Sequence, residues 1–147
     1  QKLHPEVVVR LEENVLHVQR QSDRKFHRSI HGLTRTLLSN AIIGVTEGYQ
    51  KSLDLMGVGY RAQQNGDNII LNVGYSHSVN VNTVTGVTIA VEANNKIHVT
   101  GCDKERVGEV AARIRKVRPP NAYKEKGIKY SDEILHLKPG KAATRKA

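Results

Sequence analysis

Apolar residues in this chain recur either at alternate positions or at every third or fourth, and the switches between the two periods mark out its elements. Val7-Val-Val-Arg-Leu11-Glu12 and His17-Val18 read as a strand pair; Val87-Thr-Ile-Ala-Val91-Glu92 with His98-Val99 reads as another. Lys51 to Ala62 and Asn68 to Tyr75 are strand-like runs joined through Gln64-Asn65-Gly66-Asp67, a strong hairpin signal, and Val79 to Val84 predicts a further strand. The first helix is expected to start at Ser22 or Asp23 and run towards Gly44. Phe26, Ile30, Leu33, Leu37 and Ala41 would form its packed face, with Arg24, Arg28, His31 and Arg35 half a turn away. A second helix, capped by Asp103, buries Val107, Val110, Ala111 and Ile114 and is stopped by Pro119-Pro120.

The two strand-strand-helix stretches correspond residue by residue. Val7 to Val87, Leu11 to Val91, His17 to His98 and Asp23 to Asp103 are separated by 80, 80, 81 and 80 positions. An internal duplication explains both the spacing and the repeated order of elements. The expected class is therefore α+β, with two related domains, each an antiparallel sheet carrying one packed helix, and a basic C-terminal extension. Their bounds read as 1–48, 49–131 and 132–147. The first domain lacks the opening strands that the second has, so the full protein is expected to extend upstream of Gln1.

Composition sharpens this. Apolar residues make up 38% of the chain, with one Phe and no Trp, so the core should be thin. No apolar run approaches the roughly 20 residues of a membrane span, and the single Cys102 cannot form an internal disulfide. Charge is distributed unevenly: residues 104–147 hold 13 Lys or Arg against 5 Asp or Glu, whereas residues 1–103 hold 10 against 9. The last third thus carries +8 of the net +9.

Catalytic and cofactor motifs are not evident. Gly57-x-Gly59 lacks the third glycine and following helix of a dinucleotide site, and no phosphate-cradling Gly-x-x-x-x-Gly-Lys-Ser/Thr loop is found. His27 and His31 share helical spacing but no third metal ligand accompanies them. Cys102 has no oriented base. No catalytic residue, metal or cofactor is expected.

What remains is the tract from Arg113 to Tyr130, where cations alternate with tyrosines, prolines and glycine, as on a surface that meets a polyanion. Lys and Arg can neutralise phosphates and tyrosines can stack on unpaired bases, while Gly127 would let backbone amides approach phosphate. Arg118 to Lys124 should be a proline-stiffened extended strip, and the tail from Lys138 should order only on a partner. The expected RNA-binding residues are Arg113, Lys116, Arg118, Tyr123, Lys124, Lys126, Gly127, Lys129, Lys138 and Lys141. Arg24, Arg28, His31 and Arg35 form a second, smaller basic face. Charge and composition alone fit either a ribosomal protein or a free nucleic-acid module.

At these residues the chain resembles a known family. Pro120-Asn-Ala-Tyr-Lys-Glu-Lys-Gly-Ile128 is similar to the signature of large-subunit ribosomal protein L-six, bacterial or organellar type. The resemblance extends to Gly57-Val-Gly-Tyr-Arg61, Leu71-Asn-Val-Gly-Tyr-Ser-His77, Val107-Gly108 and Ile114-Arg-Lys-Val-Arg-Pro-Pro120, and so to nearly the whole chain. It implies a structural protein that binds large-subunit rRNA near the landing site of translational GTPases, among neighbouring ribosomal proteins and away from membranes. It also implies an N-terminal domain beginning some thirty residues earlier. Two positions depart from the family pattern: Glu125 stands where a small residue is usual and Ser78 where proline is usual.

Overall fold

A computed structural model describes residues 2–140 of the chain. β1 (Val7–Glu12) and β2 (Val15–Arg20) pair antiparallel, from Val7 opposite Arg20 to Glu12 opposite Val15. The chain reverses through Glu13 and Asn14, whose φ angles of 48° and 66° suit a two-residue hairpin turn. α1 (Lys25–Thr46) packs on this hairpin. It begins later than expected because Asp23 is engaged elsewhere, accepting Nε and Nη2 of Arg20 at 3.0 and 2.8 Å. The first helical carbonyl is that of Arg24, which accepts from Arg28 N at 2.9 Å.

The buried arc of α1 is turned from the predicted one. Ile30, Thr34 and Gly44 are buried and Leu37 and Ala41 half-buried, but Phe26 and Leu33 are 55% and 58% exposed. Periodicity counts apolar side chains, whereas a two-stranded hairpin covers only a narrow strip of the helix. Polar groups occupy part of that strip with their bonds satisfied. Thr34 Oγ1 donates to Ile30 O at 2.7 Å, and His27 lies between Ser22 Oγ and Glu6.

Contacts divide the chain between Thr46 and Glu47, and the second unit has the larger core. It contains β3 (Tyr49–Met56), β4 (Arg61–Asn65), β5 (Asn68–Asn72), β6 (Val79–Val81), β7 (Val87–Glu92), β8 (Lys96–Gly101), α2 (Lys104–Val117) and β9 (Gly127–Tyr130). Two antiparallel sheets form where one was expected: β7-β8-β3-β9, and β4-β5-β6. The run from Lys51 to Ala62 breaks between them at Gly57 and Gly59, with φ of 148° and 77°. A Cβ on Gly57 would lie 2.9 Å from the Tyr60 ring, so the break is a packed corner that needs glycine. Leu53, Leu55, Ile89, Ile97, Val99 and Ile128 from the larger sheet join Ala62, Ile69, Leu71 and Val81 from the smaller one around Val107, Val110, Ala111 and Ile114 of α2.

The two hairpins account for the 81 in the repeat spacing. β1 and β7 are offset by 80 and β2 and β8 by 81, because Glu12 meets Val15 across two turn residues whereas Glu92 meets Lys96 across three. β9 was not foreseen. It lies inside the basic tract and pairs with β3 as an edge strand.

Candidate nucleic-acid interface

α2 is fixed at its start by Asp103, whose backbone is extended (φ −102°, ψ 113°) and whose Oδ1 accepts from Glu105 N at 3.0 Å. Several of its cations are spent internally. Arg113 pairs with Glu109 one turn back, and Arg106 lies 3.6 Å from Asp103 while donating to Thr85 O. Arg115 makes a two-point pair with Glu133, Nε and Nη2 reaching the two carboxylate oxygens at 3.2 and 2.8 Å. That pair holds the Glu133 carboxyl below its ordinary range and Arg115 above its own. Lys116 is exposed on the last turn.

Beyond α2 the chain turns back on itself. Asn121 N donates to Lys126 O at 2.9 Å and Ile128 N to Arg118 O at 2.8 Å, closing a loop over residues 118–128. Asn121 Oδ1 accepts from Tyr123 N at 2.8 Å and sets the bend. The segment is therefore a hydrogen-bonded loop, not the extended strip that its prolines suggested; proline fixes φ but leaves its carbonyl free to accept. Gly127 is buried at φ 140°, and a Cβ there would fall 2.6 Å from Pro119 O and 2.7 Å from Pro120 Cα. The space left by its missing side chain is filled by the chain's own backbone.

This loop and the turn after β5 enclose a cleft of about 410 Å³ lined by Tyr75, Arg118, Pro119, Asn121, Lys124 and Lys126. The Arg118 guanidinium stands 5.0 Å over the Tyr75 ring, while Tyr75 Oη donates to Val117 O at 2.8 Å. Tyr75, with help from Tyr60, holds Arg118 above the usual guanidinium range. Tyr75 also stacks on His77, centroids 6.1 Å apart. The result is a cationic cleft with an aromatic wall, able to take a phosphate and a base face together.

The structure thus gathers Arg118, Lys124 and Lys126 and adds Tyr75, which the basic-tract reading passed over. Its available signal was an aromatic directly after Gly74, in a turn 43 positions from Arg118. Tyr123 is exposed on the loop but does not line the cleft, and neither does Glu125, so the acid does not interrupt the cationic wall. Lys129 lies on β9 opposite Asp54, a sheet position rather than a loop one. Lys138 is exposed, and its backbone N donates to Ala122 O at 2.7 Å, laying that strand of chain along the loop. Lys141 lies outside the described residues. In the first unit, Arg28, His31 and Arg35 meet around a separate groove, whereas Arg24 is exposed outside it.

Strand register also creates a Ser-His-acid network invisible in the sequence. His98 Nδ1 lies 2.9 Å from Ser52 Oγ and 3.1 Å from Gln50 Nε2, and its Nε2 lies 2.7 Å from Glu92. The His98 bond holds the Glu92 carboxyl below its usual range. Among the described residues no group of three or more His, Cys, Asp or Glu is placed to hold a metal, and no helix is long and apolar enough to cross a membrane.

Comparison with known proteins converges on one family. The profile described as Ribosomal protein L6 matches residues 56–131, the segment that carries the cleft. The protein named Large ribosomal subunit protein uL6 from Caldicellulosiruptor bescii is 55% identical over 141 residues, 96% of this chain and 78% of that protein. Those of the same name from Halalkalibacterium halodurans and Listeria monocytogenes are 53% and 51% identical, over 94% and 95% of this chain and 78% and 79% of theirs.

Proposed function

This chain belongs to the ribosomal protein L6 family, and from that premise we propose that it binds large-subunit rRNA through the cleft of Tyr75, Arg118, Lys124 and Lys126. The family is one of structural ribosomal proteins, not enzymes, and its bacterial members are constituents of the large subunit by name. The chain accordingly works in the cytoplasmic ribosome of a bacterium or the ribosome of an organelle, as part of a ribonucleoprotein, beside other ribosomal proteins.

The observation that carries the rRNA reading is the cleft itself. Arg118, Lys124 and Lys126 converge without an acidic residue among its lining, and Tyr75 supplies a flat face for a base. Lys138, whose backbone is bonded to Ala122 of the same loop, adds positive charge beside it. In this reading residues 49–131 are the principal rRNA-binding domain.

Replacing Arg118, Lys124 and Lys126 together by alanine should weaken binding to large-subunit rRNA. It should also lower the slope of log affinity against log salt by about 2 to 3, taking roughly 0.9 per lost phosphate contact from duplex DNA as a guide. A wild-type slope in this variant would remove the cleft from the interface. We place the contact near the site where translational GTPases engage the subunit, on the strength of family membership. A cleavage probe tethered to the exposed Cys102 should then cut rRNA nucleotides that a bound GTPase protects; cuts confined elsewhere would rule this out.

A further inference from the structure

The first unit carries a second cationic surface that the family profile does not reach, since the matched segment begins at residue 56. An open groove of about 840 Å³ runs over α1, lined by Arg20, Lys25, Arg28, His31, Gly32 and Arg35. We propose that this groove is an additional RNA-binding site, which takes the sugar-phosphate backbone of a strand laid across α1 at Gly32.

Four observations carry the proposal. α1 contains no acidic residue in its 22 positions, so Lys25, Arg28 and Arg35 lack the pairing along the helix that Arg113 finds in Glu109. Next, Arg20 arrives from β2 already oriented. Asp23 takes its Nε and Nη2, and its Nη1 donates to His31 Nδ1 at 3.0 Å. His31 must therefore carry its proton on Nε2, which it gives to Val18 O at 2.8 Å. The histidine is thus a bracket that pins Arg20 to the hairpin, and Arg20 keeps one free N–H on each terminal nitrogen for a ligand.

Third, Arg28 and Arg35 are two helical turns apart, about 10 Å along the axis at 1.5 Å per residue, with Gly32 between them. Nothing lies within 4 Å of where a Gly32 Cβ would stand, so the floor is open and a backbone can pass close to the helix. Fourth, no apolar side chain lines the groove. Protein interfaces usually rest on buried aromatic or aliphatic contacts, whereas phosphate backbones are held by Arg and Lys with small polar donors such as Ser29, which also lines the groove.

The site is separable from the cleft, and the test keeps the two apart. Full-length chains carrying Arg28→Ala with Arg35→Ala, or Gly32→Glu alone, are titrated with a transcript of large-subunit rRNA across a salt series. The double variant should lower the salt slope by about 2. Gly32→Glu should weaken binding at low salt while its melting temperature holds or rises, since glutamate favours helix over glycine and the position is open. A groove double variant with the wild-type slope, beside a cleft variant with a reduced one, overturns this proposal and leaves the cleft reading standing. The reverse result supports the groove and removes the cleft. Unchanged RNA binding with loss of a neighbouring ribosomal protein from isolated subunits would overturn the RNA assignment in favour of an acidic protein surface.

Discussion

Gly127 is the residue on which the shape of the loop over residues 118–128 depends. Its φ of 140° and the backbone of Pro119 and Pro120 within 2.8 Å of a notional Cβ leave no room for any side chain. Gly127→Ala should therefore cost about 2 to 3 kcal/mol, read as a lower urea midpoint at unchanged m-value, and should open the loop. The Arg115–Glu133 pair acts at the same scale and gives a pH signature. Glu133 has a lowered carboxyl pKa in the fold because of Arg115 and, after that, Tyr130 N. The stability it contributes is complete above the unfolded value near about 4.3 and is lost as pH falls through the lower folded value. With side chains 34% and 24% exposed, solvent screening keeps the pair to about 1 kcal/mol. Glu133→Gln should be less stable by that amount at pH 7, and the gap should narrow below about pH 5 and close in stronger acid. Denaturation of both proteins across that range checks it.

At the scale of elements, the two helices show how a shared sequence plan yields different surfaces. Asp103 caps α2 through Glu105 N, whereas its counterpart Asp23 binds Arg20 instead and α1 starts at Lys25. Asp103→Ala should destabilise the second unit by about 1 kcal/mol, and Asp103→Ser should recover most of it; thermal unfolding of the three proteins decides the matter. The buried face of α2 was legible because Val107, Val110, Ala111 and Ile114 meet a four-stranded sheet broad enough to cover all four. The face of α1 was legible only in part. Its hairpin spans two strands, so burial was set by the width of the partner surface and drew in Thr34 and His31 ahead of Leu33. β9 escaped notice for a related reason: Gly-Ile-Lys-Tyr is too short and too charged to read as a strand, and only pairing with β3 makes it one.

For the molecule as a whole, the cores of the two units differ in size. Among the described residues, the first buries only Val7 and Ile30 of its hydrophobic side chains, while Val8, Leu11, Phe26 and Leu33 remain exposed; the second encloses sixteen buried residues in one cluster. Two-stranded sheets are marginal without further cover. Amides of β1, β2 and α1 should accordingly exchange hydrogen at least about tenfold faster than those of β3, β8 and α2. Equal protection in the two units would show that the first is stabilised by something beyond its own contacts. The formal charge also reads differently once folded. Arg106, Arg113 and Arg115 have acidic partners, whereas Arg118, Lys124 and Lys126 line the cleft of the second unit and Lys25, Arg28 and Arg35 the groove of the first.

By itself the sequence determined the α+β class, the two helices, most of the strands and the basic tract, and its ordered motifs sufficed to identify the family. Each of these rests on local periodicity, turn chemistry or composition, which neighbouring residues write into the chain directly. The tertiary structure alone decided that Tyr75 joins Arg118, that Gly127 makes room for prolines, and that His31 holds Arg20 instead of standing in solvent. Those outcomes depend on strand register and on the finite width of packing surfaces, which bring together residues far apart in sequence and which no local pattern encodes.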